Sequence, residues 1–250
     1  MKDPKRNKLV VGMIGCGAFG RLMVKHLSPY FGFKIHDPMI KAGSLPPDSC
    51  QITSLENAAR CDIVILATPV SALQAIVTQI AGLVRSGALV IDVGSVKTKP
   101  ARIMLEGLPD HVDILCTHPL FGPQSASEGL RNLKIVLCPL RCRNIDKISR
   151  FLQRKLDLEV IRATPESHDR ELAVAQGLTH LIAQVLLKIE PLPEAMTTVS
   201  FDLIKRAIAM VKDDAPEVLH AIEQENPYAA QVRETFFRLA NETRLSFERD

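Results

Sequence analysis

Short apolar runs alternate with amphipathic stretches along the first two-thirds of the chain. The runs are rich in Val and Ile, are bounded by Gly, Pro or Asp, and cover residues 9–14, 31–36, 62–67, 88–93, 113–116, 134–138 and 158–161. Several lack in–out alternation, which is typical of strands covered by helices on both faces. Helical patterns such as 71–84 and 143–155 separate them. This alternation predicts a doubly wound parallel sheet.

The pattern changes after Ile161. Thr164, Pro165 and Glu166 predict a helix start, with a capping hydroxyl, a proline in the first turn and an acid near the positive end of the dipole. Helical periodicity then covers about 164–189, 197–212, 216–225 and 227–247, without a strand pattern. We therefore predict a Rossmann-type dinucleotide-binding domain over residues 1–162 and an all-helical C-terminal domain over residues 163–250.

The glycine motif at residues 15–20, GCGAFG, follows the first strand and opens a helix. Gly15 allows a tight turn, Gly17 lets the backbone approach a pyrophosphate, and Gly20 lets helix and strand pack closely. The second strand ends at Asp37, about twenty residues later, where a carboxylate binds the ribose 2′-hydroxyl. The motif predicts a dinucleotide site. An acid at Asp37 favours NAD, whereas Lys41 nearby keeps NADP open.

Three further loops fall at the ends of predicted strands, where sheets of this type bind ligands. The first is Thr68-Pro69, the second contains Gly94 and Ser95, and the third begins with His118. Ser95 has a second explanation, because serine at a strand–helix turn commonly caps the helix. A histidine at a strand end suits a general base, since its ordinary pKa lies near neutral pH.

Composition narrows the range of functions. The net charge is only +3 and the chain has no Trp and two Tyr, so we expect no nucleic-acid partner. No apolar segment reaches membrane-span length, so no membrane partner is expected. The basic residues 1–7 run directly into the first strand, which argues against a signal peptide. Six cysteines without a Cys-x-x-Cys pair predict reduced thiols in a cytoplasmic protein, and we expect no metal site.

Three motifs beyond the glycine loop resemble a known family. Residues 92–97 read DVGSVK, residues 117–123 read THPLFGP, and SHD at 167–169 precedes QGLTH at 176–180. In this order they are similar to the signatures of prephenate and arogenate dehydrogenases, and Phe-Gly-Pro resembles the plant-type branch. The resemblance implies NAD(P)-dependent oxidative decarboxylation of arogenate or prephenate in tyrosine biosynthesis. It also implies a homodimer formed through the helical domain.

The resemblance implies roles for individual residues. His118 matches a base that accepts the proton of the ring hydroxyl, and Ser95 matches a serine that hydrogen-bonds the same hydroxyl. His168 and His180 match substrate-site histidines, and Arg206 falls where the family binds a substrate carboxylate. Together with the loops above, the expected cofactor contacts are Gly15, Gly17, Ala18, Phe19, Gly20, Asp37, Thr68, Pro69 and Gly94.

These assignments have structural alternatives. His168 lies near a helix start and can simply help to hold it. His180 stands among apolar residues, as a hydrogen-bonded core histidine would. Arg206 follows Lys205 and can be a surface charge.

The loop after His118 departs from the family pattern. Gln124 stands where family members often carry an acid. Glu128 lies where an acid accompanies preference for arogenate in the plant-type branch. Arogenate carries an ammonium where prephenate has a ketone, so a nearby carboxylate stabilises only arogenate. We predict arogenate as the preferred substrate, the alternative being that Glu128 is a solvated loop charge.

Other functions share parts of this pattern. A dehydrogenase of the hydroxyacid type places a catalytic lysine on the first long helix after the Rossmann domain, where this chain offers only Lys188, at the far end. A non-catalytic NAD-sensing regulator, or a dimer module with a vestigial site, would keep the glycine loop. Neither needs Ser95, His118 and His180 together.

Overall fold

The computed structural model describes residues 8–40, 43, 45, 46, 49–189 and 191–248. Its contacts divide the chain into two compact units, Met1–Pro165 and Glu166–Asp250. This division lies close to the boundary predicted between residues 162 and 163. The described strands all lie in the first unit, whereas the second unit is helical.

The first unit is built from strands and helices in alternation. Its strands β1 to β8 span Leu9–Ile14, Phe31–His36, Cys50–Ile52, Ile63–Leu66, Leu89–Asp92, Asp113–Pro119, Lys134–Arg141 and Glu159–Arg162. Its helices α1 to α5 span Ala18–Leu27, Leu55–Ala59, Val70–Ile80, Thr98–Gly107 and Ile145–Leu156. The first two strands begin and end where the apolar pattern predicts. The short strand β3 was not predicted, because it follows a stretch rich in proline.

The eight strands form one sheet in the order β3-β2-β1-β4-β5-β6-β7-β8. Neighbouring strands run parallel except β6 and β7. The predicted Rossmann-type α/β fold is confirmed, whereas a wholly parallel sheet is wrong for this one pair. Residues 120–133, which join β6 to β7, form turns instead of a helix. The chain therefore re-enters the sheet at the edge where it left, which makes the pair antiparallel.

Apolar clusters cover the sheet on both faces. In β4, Val64 and Leu66 belong to a cluster with Met104 of α4. Ile65, which lies between them, packs in a second cluster with Val24 of α1. Successive strand residues point to opposite faces, so both faces of β4 are buried. This explains why its apolar run lacks alternation.

The second unit consists of α-helices and two π-helical segments. Helix α6 spans Pro165–Leu172 and α7 spans Leu178–Leu186, with a π segment at Ala173–Gly177 between them. The remaining elements are α8 at Val199–Val211, α9 at Pro216–His220, a second π segment at Ala221–Glu225, and α10 at Ala229–Phe247. The predicted helix over 164–189 is therefore continuous over Pro165–Leu186, but it contains a π-helical segment. Among the described residues, no helix is long and apolar enough to cross a membrane.

Candidate active site

Four neighbouring parallel strands end at one edge of the sheet and carry the predicted site loops of the first unit. The glycine loop follows β1, Thr68 follows β4, and Ser95 follows β5, while His118 lies near the end of β6. The strand order reverses between β1 and β4, and such a switch point opens a crevice for ligands. The structure thus brings together the predicted nucleotide loop, Ser95 and His118.

The glycine loop has the geometry of a phosphate cradle. Gly15 has φ of 86°, and a Cβ there would lie 2.4 Å from the carbonyl oxygen of Ala67, so only glycine fits. A Cβ on Gly17 would meet nothing within 4 Å, which leaves open space beside the backbone. Helix α1 begins at Ala18 without a side-chain cap or an acid in its first turn. Its free N–H groups and positive dipole end can therefore receive an anion.

Asp37 holds this loop in place. Its Oδ2 accepts a hydrogen bond from the backbone N–H of Cys16 at 2.6 Å, and its Oδ1 accepts one from Met39 at 2.8 Å. The carboxylate is half-buried and lies at the end of β2, as the sequence predicts. Its support of the glycine loop was not predicted. Lys41, the candidate for an NADP 2′-phosphate, lies outside the described residues.

Thr68 contributes a hydroxyl oxygen that forms no hydrogen bond with the described residues. Its Oγ1 is shielded from solvent and has no hydrogen-bond partner among the described residues. The Thr68 methyl would lie 2.9 Å from a Cβ on Gly15, so the side chain adjoins the glycine turn. Pro69 follows as the residue before helix α3. An orphaned hydroxyl beside an open glycine loop fits a polar ligand such as a nucleotide.

Asp92 and Lys97 form a buried ion pair between β5 and α4. Their side chains are 4% and 0% exposed, and Lys97 Nζ donates to Asp92 Oδ2. The same Nζ donates to the carbonyl oxygen of Thr117 at 2.7 Å, and Thr117 Oγ1 donates to the Asp92 carbonyl at 2.8 Å. Asp92 Oδ1 accepts the N–H of Gly94 at 2.9 Å.

Asp92, Lys97 and Thr117 were not predicted as site residues. The available signal was an acid and a lysine five residues apart around a glycine turn, with a threonine directly before the histidine. Ser95 lies half-buried inside this turn. It does not cap the next helix, because α4 begins at Thr98 and Lys97 occupies the N-cap position. The capping alternative for Ser95 is therefore wrong.

His118 is 4% exposed and pairs with Val136 of β7. Three residues later, the ring of Phe121 contacts the ring of Phe19 in the glycine loop, with centroids 6.2 Å apart. The His118 segment and the nucleotide loop therefore touch. Among the described residues, no group of three or more His, Cys, Asp or Glu is placed to hold a metal ion.

The loop between β6 and β7 contains the two specificity candidates. Glu128 is exposed, whereas Gln124 is half-buried with Oε1 3.4 Å from a Cβ placed on Gly122. Turn hydrogen bonds shape the loop, because the N–H of Gly122 donates to Ser125 Oγ at 3.0 Å. Glu128 can therefore meet a ligand or solvent.

The second unit holds the other three candidates, His168, His180 and Arg206. His168 is enclosed, and its Nδ1 lies 2.8 Å from Oδ1 of Asp169, both side chains being 0% exposed. Arg206 lies on α8 and is exposed. The described contacts of His168 resemble those of a core histidine more than those of an open ligand site.

His180 is bonded at both ring nitrogens. Nδ1 donates to the carbonyl oxygen of Gln176 at 2.9 Å, and Nε2 donates to Oδ2 of Asp214 at 3.1 Å. Burial alone lowers the pKa of His180, but the bonds to Asp214 and Gln176 and the negative charges of Asp214 and Glu223 outweigh it and raise the pKa. Both partners are acceptors, so the full set of bonds requires the imidazolium.

Comparison with known sequences identifies the nucleotide-binding part of the chain. The family model described as prephenate dehydrogenase, nucleotide-binding domain, matches residues 40–157. A probable arogenate/prephenate dehydrogenase of Methanocaldococcus jannaschii is 30% identical over 76% of this chain and 44% of its own length. Arogenate dehydrogenase 1, chloroplastic, of Arabidopsis thaliana is 24% identical over 92% of this chain and 38% of its own length. The chain thus spans less than half the length of these two relatives.

Solved structures show the same fold. Prephenate dehydrogenase from Aquifex aeolicus, in complex with hydroxyphenyl propionate and NAD+, superposes with a TM-score of 0.72 at 22% identity, covering 99% of this chain and 93% of that one. Arogenate dehydrogenase from Synechocystis gives a TM-score of 0.65 at 17% identity, covering 96% and 93%. The chain is therefore similar to the prephenate and arogenate dehydrogenases, and its residues 40–157 match the model of a prephenate dehydrogenase nucleotide-binding domain.

Proposed function

We propose that this protein oxidises arogenate, or with lower efficiency prephenate, using a nicotinamide dinucleotide and releasing carbon dioxide, as a step of tyrosine biosynthesis. One observation carries the proposal: the glycine loop and His118 lie at the same edge of the sheet, and Phe19 and Phe121 join their two loops at 6.2 Å. A nicotinamide bound at the glycine loop would thereby lie near the candidate general base. The related enzymes from M. jannaschii and A. thaliana support this activity by their names.

We propose NAD as the cofactor. The open space beside Gly17 and the free N–H groups of α1 would hold the pyrophosphate, and the orphaned Oγ1 of Thr68 would gain a partner. Asp37 would accept a hydrogen bond from the ribose 2′-hydroxyl and would repel a 2′-phosphate. The A. aeolicus relative, which was solved with NAD+, supports this choice. When bound, the nicotinamide supplies the hydride acceptor.

His118 would act as the general base and Ser95 would orient the reacting hydroxyl. His118 accepts the hydroxyl proton at ring carbon 4 as that carbon gives up its hydride, and loss of the ring carboxylate as carbon dioxide restores aromaticity. Because aromatisation drives the reaction, the protein mainly supplies a base and orientation. General bases contribute about 10²–10⁴-fold, and orientation can contribute more.

Charged and polar side chains would contribute to substrate recognition. The exposed Glu128 would meet the ammonium of arogenate, Gln124 would meet a polar group of the substrate, and the exposed Arg206 would meet a carboxylate. His180 would reach the substrate only by exchanging one of its two present acceptors. His168, bonded to Asp169 and enclosed, would support the second unit from within.

The test is a matrix of initial rates that crosses arogenate and prephenate with NAD and NADP. The variants are wild type, His118→Asn and His111→Asn, the last being an exposed histidine that serves as the matched control. We expect turnover with arogenate and NAD that falls by at least about a hundredfold in His118→Asn and is unchanged in the control. No turnover with either substrate, together with intact NADH binding, would favour the non-catalytic sensor instead.

A third variant, Glu128→Gln, tests substrate choice. It removes the negative charge but keeps the size of the side chain. We expect the ratio of kcat/KM for arogenate over prephenate to fall about threefold to fivefold, since one charge contact at an exposed site is worth up to about 1 kcal/mol. An unchanged ratio would assign Glu128 to solvent.

We also propose a homodimer formed through the second unit. Several large apolar side chains are exposed there, among them Val199 at 81%, Leu203 at 59% and Phe237 at 50%, and such patches commonly mark protein interfaces. Sedimentation equilibrium at micromolar concentration decides this, and a monomer would refute it.

The cysteines support a reducing location, which we propose is the cytoplasm. None of the six cysteines, all of which lie in the described part of the chain, forms a disulfide, and burial raises the pKa of the Cys16 thiol to about 11. A fluorescent fusion viewed in the source cell tests this, and retention in an oxidising compartment would contradict it.

A further inference from the structure

A fully buried lysine is unusual and demands an explanation. Lys97 has 0% exposure, and Asp92 beside it has 4%. Lysine and aspartate are seldom fully buried unless they are paired, and hydrophobic residues of similar size commonly give a fold equal or greater stability. A pair buried at this place, next to the candidate catalytic residues, points to a task other than stability.

The side chains of Asp92, Lys97 and Thr117 connect β5 and β6 beyond the last backbone pair of the two strands. The parallel ladder ends at the pair Asp92 and Cys116. Beyond this pair, Lys97 Nζ donates a hydrogen bond to the carbonyl oxygen of Thr117 at 2.7 Å, and Thr117 Oγ1 donates one to the Asp92 carbonyl oxygen at 2.8 Å. Thr117 directly precedes His118. These hydrogen bonds therefore restrain the backbone segment that carries His118.

The same pair shapes the turn that carries Ser95. Asp92 Oδ1 accepts the N–H of Gly94 at 2.9 Å, and Lys97 closes the turn from its other end. A Cβ on Gly94 would lie 3.1 Å from Asp92 Oδ1, so the turn is tightly seated on the carboxylate. Ser95 lies between these two anchors. One ion pair thus holds both Ser95 and His118.

We propose that Asp92, Lys97 and Thr117 are positioning residues: their ion pair and the two hydrogen bonds that join it to Thr117 set Ser95 and His118 at their working separation. The catalytic meaning of this device rests on the proposed dehydrogenase function. A reacting group displaced by about 1 Å can lose about a hundredfold in rate. A methionine at position 97 can fill the same space but cannot make the directional bonds to Asp92 and Thr117.

The test removes both charges together, because a single removal leaves the other charge buried and unpaired. The double variant Asp92→Asn/Lys97→Met keeps the side-chain shapes. We expect it to unfold at nearly the wild-type urea concentration and to bind NADH with a Kd within about threefold of wild type. Its kcat is expected to fall by about tenfold or more while KM changes by less than about threefold, which is the signature of misplaced groups.

A second pair of variants avoids any dependence on folding of the double variant. Thr117→Val removes the hydroxyl that bonds the Asp92 carbonyl but keeps the shape, whereas Thr117→Ser keeps the hydroxyl. We expect kcat to fall by about tenfold in Thr117→Val and to be restored to near the wild-type value in Thr117→Ser. A fall in both variants, or in neither, would overturn the proposal.

Crystal structures of the wild type and the double variant supply a readout that needs no substrate. The measured quantity is the distance from Ser95 Oγ to the nearer ring nitrogen of His118. A change of about 1 Å supports positioning. An unchanged distance, or wild-type kcat in a folded double variant, overturns it. Absence of turnover in the wild type would contradict the proposed function alone, and the crystallographic distance would still decide the role of Lys97.

Discussion

The bond between His180 and Asp214 predicts a pH-dependent contribution to the stability of the second unit. Replacing Asp214 by Asn removes the carboxylate that accepts from Nε2 at 3.1 Å but leaves the Gln176 carbonyl in place. A hydrogen bond to a charged group contributes about 1.5–3 kcal/mol. Asp214 is 24% exposed, so solvent screens part of this, and we expect a loss of about 1–2 kcal/mol at pH 5.5.

The sign of the pH dependence follows from the raised pKa of His180 in the folded state. A group with a raised folded pKa stabilises fully below its unfolded pKa, which for histidine is about 6.5, and that contribution is lost as pH rises through the folded pKa. The neutral ring keeps a single N–H for two acceptors. The difference between wild type and Asp214→Asn should therefore shrink to under about 0.5 kcal/mol at pH 9.

Urea unfolding of both proteins between pH 5.5 and pH 9 measures this difference. Asp213→Asn is the matched control, because it makes the same charge change on the exposed neighbouring residue. We expect the control to follow the wild type at every pH. A difference that is constant with pH, or that grows toward pH 9, would refute the assignment of a protonated His180.

Two glycine substitutions test the packing of the first unit. Gly12→Ala would place a Cβ 1.9 Å from the carbonyl oxygen of Ala58, so we expect the free energy of unfolding in urea to fall by about 3 kcal/mol or more. The control Gly82→Ala, whose Cβ would meet nothing within 4 Å, should change the stability little. Equal effects of the two substitutions would contradict the packing. Gly17→Val also meets nothing within 4 Å, so thermal stability should hold while the Kd for NADH rises at least about tenfold; unchanged affinity would move the pyrophosphate elsewhere.

Local pattern was sufficient wherever one element decides the structure. The apolar runs of β1 and β2 located both strands to the residue, because buried parallel strands need continuous apolar side chains. The GCGAFG motif located the nucleotide loop, because the turn at Gly15 requires a positive φ, here 86°. The edge that gathers Ser95 and His118 also followed, since parallel strands end on the same side of the sheet.

Other features depend on partners distant in sequence, and the pattern could not supply them. The antiparallel entry of β7 depends on how residues 120–133 fold back. The partners of His180 depend on the position of Asp214, 34 residues away. No local preference predicts that the helix carrying His180 contains a π-helical segment at Ala173–Gly177.

The sequence by itself determined the Rossmann-type architecture and the glycine turn, and it predicted His118 as base, because periodicity, glycine chemistry and motif order are written in neighbouring residues. Only the tertiary structure decided that Lys97 is buried against Asp92 and Thr117, that Asp37 holds the glycine loop, and that His180 has both ring nitrogens occupied. The physical reason is that burial and hydrogen bonding are properties of the space around a side chain, and that space is filled by residues far along the chain.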